Sequence, residues 1–348
     1  MDIREVAKRA KVSTATVSRT INHNASVDPK LAKRVWSVVD ELGFYPNTHA
    51  RSLVSGKSRI LGLIVSEITN PFFPEVVQSF EDVAVENGYE IMLTSTVHDP
   101  KRMELSVRRM IERRVQGVAI LTFGFEESLV SDFRFRNLPV VFVDVGPRKP
   151  GITNIRVDYM NGIRQAVQHL AAMRHERIAF VTGPLHLKSA LTRKECFERA
   201  MDEIGLDIPA EFMVTGDHTM DGGMRGFAQI EAMRVKPTAV FCSNDVTAIG
   251  VIREAFNAGM SVPRDLSVVG FDDIRLSQFI TPPLTTVRMS QAKLARLAFH
   301  ALAEAVTEGL AKQPHEVVLE TDLVLRCSTG LAGKKGSASV HSARHSAG

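Results

Sequence analysis

The sequence predicts an all-α helix-turn-helix headpiece followed by an α/β core of two doubly wound parallel-sheet subdomains. Three observations carry this. Apolar residues recur at helical spacing through the first 45 residues. From residue 58 to about 330, short apolar runs rich in β-branched residues alternate with helical stretches. The charge is divided unevenly: residues 1–59 hold eleven Lys/Arg against five Asp/Glu, within a chain of 348 residues and net charge +4. A basic small unit on a mildly acidic body implies a polyanion partner for the small unit.

Three helices are expected in the headpiece. Ile3, Val6, Ala7 and Ala10 form one apolar stripe. Ser13 is placed to cap a second helix, in which Val17 and Ile21 face inward while Thr14, Ala15, Ser18 and Arg19 face outward. Asp28 caps a third helix with Pro29 at its first position. Gly43 follows its last turn, and Leu31, Val35, Val38, Val39 and Leu42 supply its core face. Helix, tight turn and a second helix with a small polar outer face is the helix-turn-helix pattern. Its hydroxyls and helix N-terminus suit phosphates. Thr14 and Ala15 are small enough to let the helix sink into a major groove, and Arg19 reaches a guanine edge. The alternative is a generic three-helix bundle with a solvated Ser/Thr face.

The segment "YPNTHARSLVSGKS" follows, with Asn47 as a cap, about two helical turns, and a stop at Gly56. It is basic through Arg51 and Lys57 and carries Leu53. A helix this short forms only when packed or bound, which suits a minor-groove wedge. The alternative is a plain linker.

In the body, "RILGLIVS", "YEIMLTST", "GVAILT" and "LPVVFVD" read as strands, with helices in 74–88, 100–114 and 126–136 between them. The cycle restarts with helices in 160–174, 190–205, 222–234 and 245–258, interleaved with "RIAFVTG", "EFMVTG", "TAVFCSN" and "LSVVGFD". Fully apolar strands with helical crossovers imply parallel sheets covered on both faces, with ligands at the strands' carboxyl ends. Phe72, Phe73, Asp144, Arg193, His218, Asn244 and Asp272 stand at those ends. Aromatics, carboxylates, an amide and a guanidinium suit a sugar, whose hydroxyls take the polar groups while an aromatic face stacks on the ring. Each also has a plainer reading: Asp245 and Asp273 as helix caps, Phe73 as core, His218 as surface. The segment 282–310 reads as a return strand and a long helix, and "EVVLETDLVLRCST" as one final strand.

The stretches "EVAKRAKVSTATVSRTIN" and "ELGFYPNTHARSL", with "SNDVTAIG" and "SVVGFDD" in the body, resemble the LacI/GalR family of bacterial transcription regulators. The resemblance implies a periplasmic-binding-protein-like core behind the headpiece. It implies that Thr14, Ala15 and Arg19 read bases, that Ser13, Thr16, Ser18 and Asn22 hold phosphates, and that Leu53 wedges into the minor groove. It places Phe72, Phe73, Asp144, Arg193, His218, Asn244 and Asp272 in an effector pocket. Two positions depart from family habit: His218 stands where relatives often have an aromatic, and Leu187 where the purine-binding branch uses a cation. Sugars or sugar acids are therefore preferred, since Arg193 can also pair a carboxylate.

The expected organisation is a DNA-binding headpiece at 1–46, a hinge at 47–57, a core at 58–330 and a disordered basic tail at 331–348. The core divides into 58–156 with 288–316, and 157–287 with 317–330. The expected partners are double-stranded operator DNA, a small effector and a second copy of the chain, with the 74–87 helix as a dimer surface. No cofactor, metal or membrane is expected. Cys196, Cys242 and Cys327 show no metal spacing and read as reduced thiols of a cytoplasmic protein. The rival reading is a sugar-binding or carbohydrate-processing enzyme. No GxGxxG, Walker, GxSxG or HExxH motif supports it, although Asp144 and Asp272 could form an acid–base pair.

Overall fold

The computed structural model describes residues 2–21, 26–44, 58–122, 138–144, 146, 148, 150, 152–309 and 315–333. The expected phosphate contact Asn22, the hinge residues Asn47, Arg51 and Leu53, the 126–136 helix and the tail beyond Gly333 lie outside these. The chain divides into two compact units, Met1–Arg59 and Ile60–Gly348.

The first unit contains helices α1 (Ile3–Ala10), α2 (Thr14–Ile21) and α3 (Pro29–Leu42). Asp2 caps α1, and Lys11 ends it in a left-handed conformation at φ 50°. Asp28 caps α3 through Lys30 N–H and Leu31 N–H, with Pro29 at its first position and Gly43 at φ 55° beyond it. Val6, Ala7, Ala10, Val17, Ile21, Val35, Val38, Val39 and Phe44 make the core of this unit, and Trp36 flanks it.

The second unit holds two six-stranded sheets. In the first, strands β1 (Ile60–Val65), β2 (Glu90–Ser95), β3 (Val118–Leu121), β4 (Val140–Val143), β5 (Ile152–Asp158) and β11 (His315–Glu320) are ordered β11-β5-β4-β3-β1-β2 and all parallel. In the second, β6 (Ile178–Val181), β7 (Met213–Val214), β8 (Ala239–Cys242), β9 (Ser267–Asp272), β10 (Thr285–Arg288) and β12 (Asp322–Val324) are ordered β12-β10-β9-β8-β6-β7. There β12 alone is antiparallel, against β10. Helices α4 (Phe72–Glu86), α5 (Pro100–Glu112) and α10 (Gln291–Glu308) accompany the first sheet. Helices α6 (Tyr159–Ala172), α7 (Lys188–Glu203), α8 (Met220–Glu231) and α9 (Asp245–Asn257) accompany the second. A stack of Phe180, Phe197 and Phe241, with centroids 4.8–5.8 Å apart, fills the second core.

Among the described residues the chain passes between the sheets three times: after β5, between β10 and α10, and between β11 and β12. Thr321 fastens the first and third of these together. Its hydroxyl donates to Asp158 O (2.6 Å) and accepts from Gly162 N–H (3.0 Å), and its carbonyl accepts from Asn161. Gly162 permits this packing, because a Cβ there would collide with Val287 and with Thr321 itself.

Three expectations are corrected. "EVVLETDLVLRCST" is not one strand: it divides at Thr321 into β11 and β12, which pair in different sheets. A strand that was not expected, β5, closes the first series before α6 begins. The caps also differ. Asn244, not Asp245, caps α9, by accepting Thr247 N–H at 2.8 Å. Asp245 is fully buried, where it accepts from Ile274 N–H and the Thr286 hydroxyl and ties α9 to β9 and β10. Asp273 caps no helix; it pairs with Arg326 at 2.5 Å.

Candidate functional site

Two surfaces carry chemistry, one in each unit. In the first, Ser13 starts α2: its hydroxyl accepts Thr16 N–H at 3.1 Å and lies 3.0 Å from the Thr16 hydroxyl. Val17, Thr20 and Ile21 turn inward. Ser13, Thr14, Ala15 and Arg19 are exposed, and Thr16 and Ser18 half-buried. The helix therefore presents an N-terminus, small residues and one guanidinium on a single solvent face.

In the second unit, a cavity of about 220 Å³ opens where the carboxyl ends of the two sheets face each other. The β1–α4 loop and the start of α4 supply Glu67, Asn70, Phe72 and Phe73. Asn70 accepts Phe72 N–H at 3.1 Å, which fixes where the helix starts, and the two rings meet edge to face at 5.4 Å. His98 follows β2. From the second sheet come His186 and Leu187 after β6, Asp217, His218 and Thr219 after β7, Asn244 after β8 and Asp272 at the end of β9, with Arg193 on α7. Six of the seven expected pocket residues line this cavity. Asp144 is not among the lining residues; its carboxylate accepts the Tyr159 hydroxyl at 2.8 Å.

Arg193 and Asp272 organise the polar side of the cavity. Both are nearly fully buried, with Arg193 Nη2 3.3 Å from Asp272 Oδ1. Arg193 Nη1 donates to Ser243 O at 2.5 Å, and its guanidinium lies 4.0 Å from the Phe271 ring centroid and 5.2 Å from that of Tyr159. The ion pair lacks hydrogen-bond alignment, so Asp272 Oδ1 and Arg193 Nε each keep an unused hydrogen-bonding valence. Burial pushes the Asp272 carboxyl up to about 6 against the pull of Arg193. Burial, reinforced by Arg193, pushes His218 down to about 3, so its ring is neutral at pH 7. Nε2 of that ring lies 2.9 Å from the Ser243 hydroxyl. His218 is half-buried rather than a free surface group, and Gly183 makes room for it, since a Cβ there would strike the imidazole. Burial raises Asp144, opposed by the Tyr159 hydroxyl and Arg193.

Backbone strain gathers at the same place. Asp144 (φ 71°), His218 (φ 65°), Asp272 (φ 110°) and Asp273 (φ 53°) all sit in the left-handed region, a conformation that non-glycine residues keep only when their surroundings impose it. His98, His186, Glu67, Asp217 and Tyr159 were not singled out from the sequence. The strand-end rule covers both His98, three residues after β2, and His186, five after β6. Among the described residues, no group of His, Cys, Asp or Glu is arranged to hold a metal ion, and no helix is long and apolar enough to cross a membrane.

Known proteins share this layout. Residues 2–47 match the family described as bacterial regulatory proteins, lacI family, and residues 167–329 match a periplasmic binding protein-like domain. The ribose operon repressor of Escherichia coli K12 is 35% identical over 312 residues, which cover 89% of this chain and 94% of that one. The chain belongs to the LacI family. The family likeness extends to the HTH-type transcriptional repressor PurR of Glaesserella parasuis, 33% identical over 91% of this chain and 93% of that one. The crystal structure of the Lac repressor dimer bound to operator and the anti-inducer ONPF superposes with a TM-score of 0.83 at 25% identity, covering 95% of this chain and 99% of the other. The relatives are named as transcriptional repressors, and as a member of their family this chain is a DNA-binding transcriptional regulator.

Proposed function

We propose that this LacI-family chain reads its operator with the outer face of α2 and senses an uncharged sugar in the cavity between its two sheets, as a dimer in the cytoplasm. On α2, Thr14, Ala15 and Arg19 meet bases while Ser13, Thr16, Ser18 and Asn22 hold phosphates; Asn47, Arg51 and Leu53 engage the minor groove. The observation that carries the effector reading is the convergence of Phe72, Phe73, Arg193, His218, Asn244 and Asp272 on one cavity. A volume of 220 Å³ is smaller than the roughly 300–1,000 Å³ of pockets for drug-sized ligands, which fits a monosaccharide. Arg193 is already charge-paired with Asp272, and Glu67 and Asp217 add acid to the lining. A ligand carboxylate would compete with Asp272 for the guanidinium, so an uncharged polyol fits better than a sugar acid. Leu187, buried in the lining, offers an apolar surface where a purine would need a polar partner.

The two lobes joined by three crossings then move when the effector binds, and the hinge at 47–57 passes that movement to the headpiece. The affinities of effector and operator are coupled in both directions. A thermal-shift screen of the full chain against neutral sugars, sugar acids and purines tests the reading. A neutral monosaccharide at a hundredfold excess over its Kd should raise the melting temperature by about 5–10 °C. The Asp272→Asn variant should lose that shift. Stabilisation by sugar acids or purines alone would refute it.

A further inference from the structure

The segment Asp272–Arg275 does two jobs at once. Its first side chain faces the cavity and pairs with Arg193. Its backbone is strained, with Asp272 at φ 110° and Asp273 at φ 53°. Something must hold it in that shape. Two holds come from the second sheet's own side: Asp245 accepts Ile274 N–H at 2.9 Å, and Arg326 grips the Asp273 carboxylate. The other two come from helices of the first sheet. Gln291, at the start of α10 and buried, donates Nε2–H to Asp272 O at 3.0 Å. Glu75, on α4 one turn beyond Phe72, accepts Arg275 N–H on Oε1 at 2.9 Å. Helices α4 and α10 pack on one another, with Phe80 and Phe299 edge to face at 6.0 Å, so they form one body.

We propose that Glu75 and Gln291 are positioning residues that clamp the Asp272–Arg275 segment to the opposite lobe and so tie the effector-facing carboxylate to lobe closure. The chemistry fits the assignment. The single-turn helix Arg275–Gln278 has no cap from its own chain neighbours, and Glu75 supplies the missing acceptor from across the cleft. Gln291 holds the carbonyl of the residue whose side chain meets the ligand, so a shift of that carboxylate strains a bond to the other lobe. The regulatory role rests on the effector cleft proposed for this cavity; the clamp bonds themselves do not. Neither residue stands at a strand end.

Hydrogen–deuterium exchange of the full chain reads the clamp without any effector, so a failed sugar screen and a failed clamp are separate results. In Glu75→Ala the amides of 274–279 should exchange about tenfold faster than in the wild type, the effect of losing one hydrogen bond. In Glu75→Gln, which keeps an acceptor oxygen, wild-type protection should remain. Gln291→Met, which keeps the length but removes the donor, should loosen 271–275 to a similar degree. Unchanged protection in Glu75→Ala overturns the proposal, and so does loosening in Glu75→Gln equal to that in Glu75→Ala. If Gln291→Met does not fold, the Glu75 pair alone decides.

Discussion

At Asp272 burial, charge pairing and backbone strain coincide, and the residue titrates accordingly. Its carboxyl is held near 6 in the folded chain, above its ordinary 3.8. A raised carboxyl favours the folded state while protonated. Its contribution is complete below about pH 4 and is lost as pH rises through 6. Asp272→Asn removes this dependence. Between pH 4 and 8 the unfolding free energy of the variant should therefore gain on the wild type, by up to about 3 kcal/mol. Denaturant titrations at each pH give the difference, and a difference that is flat with pH would show that Asp272 is not raised. At this scale the sequence was legible where a residue ends a strand. Phe72, His218, Asn244 and Asp272 were found by position, and Arg193 lies on the helix after β6. Gln291, Glu75 and Tyr159 were not, because their roles arise from contacts across the cleft that no local pattern encodes.

The elements followed their local signals closely where caps and apolar periods agreed. Helix α3 is the clearest example, with Asp28, Pro29 and Gly43 in the expected places. Asp28→Ala should cost the first unit about 1 kcal/mol. Trp36 is the only tryptophan and lies on α3, so its fluorescence during chemical denaturation follows this unit alone; an unshifted midpoint would show that the cap is dispensable. Elsewhere local signals misled. In "ITNIRVD" the polar Thr153 and Asn154 are buried beside Ile155, so the segment shows no clear period and β5 was missed. "EVVLETDLVLRCST" looks continuous, but Thr321 bonds to Asp158 and Gly162 and turns the chain to the other sheet. Asp245 resembled a cap, yet its neighbour Asn244 holds that geometry and leaves the carboxylate to bury itself against β10.

For the whole molecule, alternating strand and helix runs foretold two parallel sheets, and the three crossings between them supply joints about which lobes can turn. The basic headpiece adds an electrostatic signature: operator affinity should fall linearly on a logarithmic salt scale, with a slope of about −0.9 per phosphate contact. Titrations at several salt concentrations provide the slope, and affinity indifferent to salt would exclude groove binding. The central claim is sequence-specific DNA recognition by α2, and selection of genomic DNA fragments by the full-length protein tests it most directly. An approximately palindromic site should be enriched. Arg19→Ala should weaken binding to that site by about 1–3 kcal/mol. No enriched site, or an Arg19→Ala protein that selects the same site with equal affinity, would contradict the account.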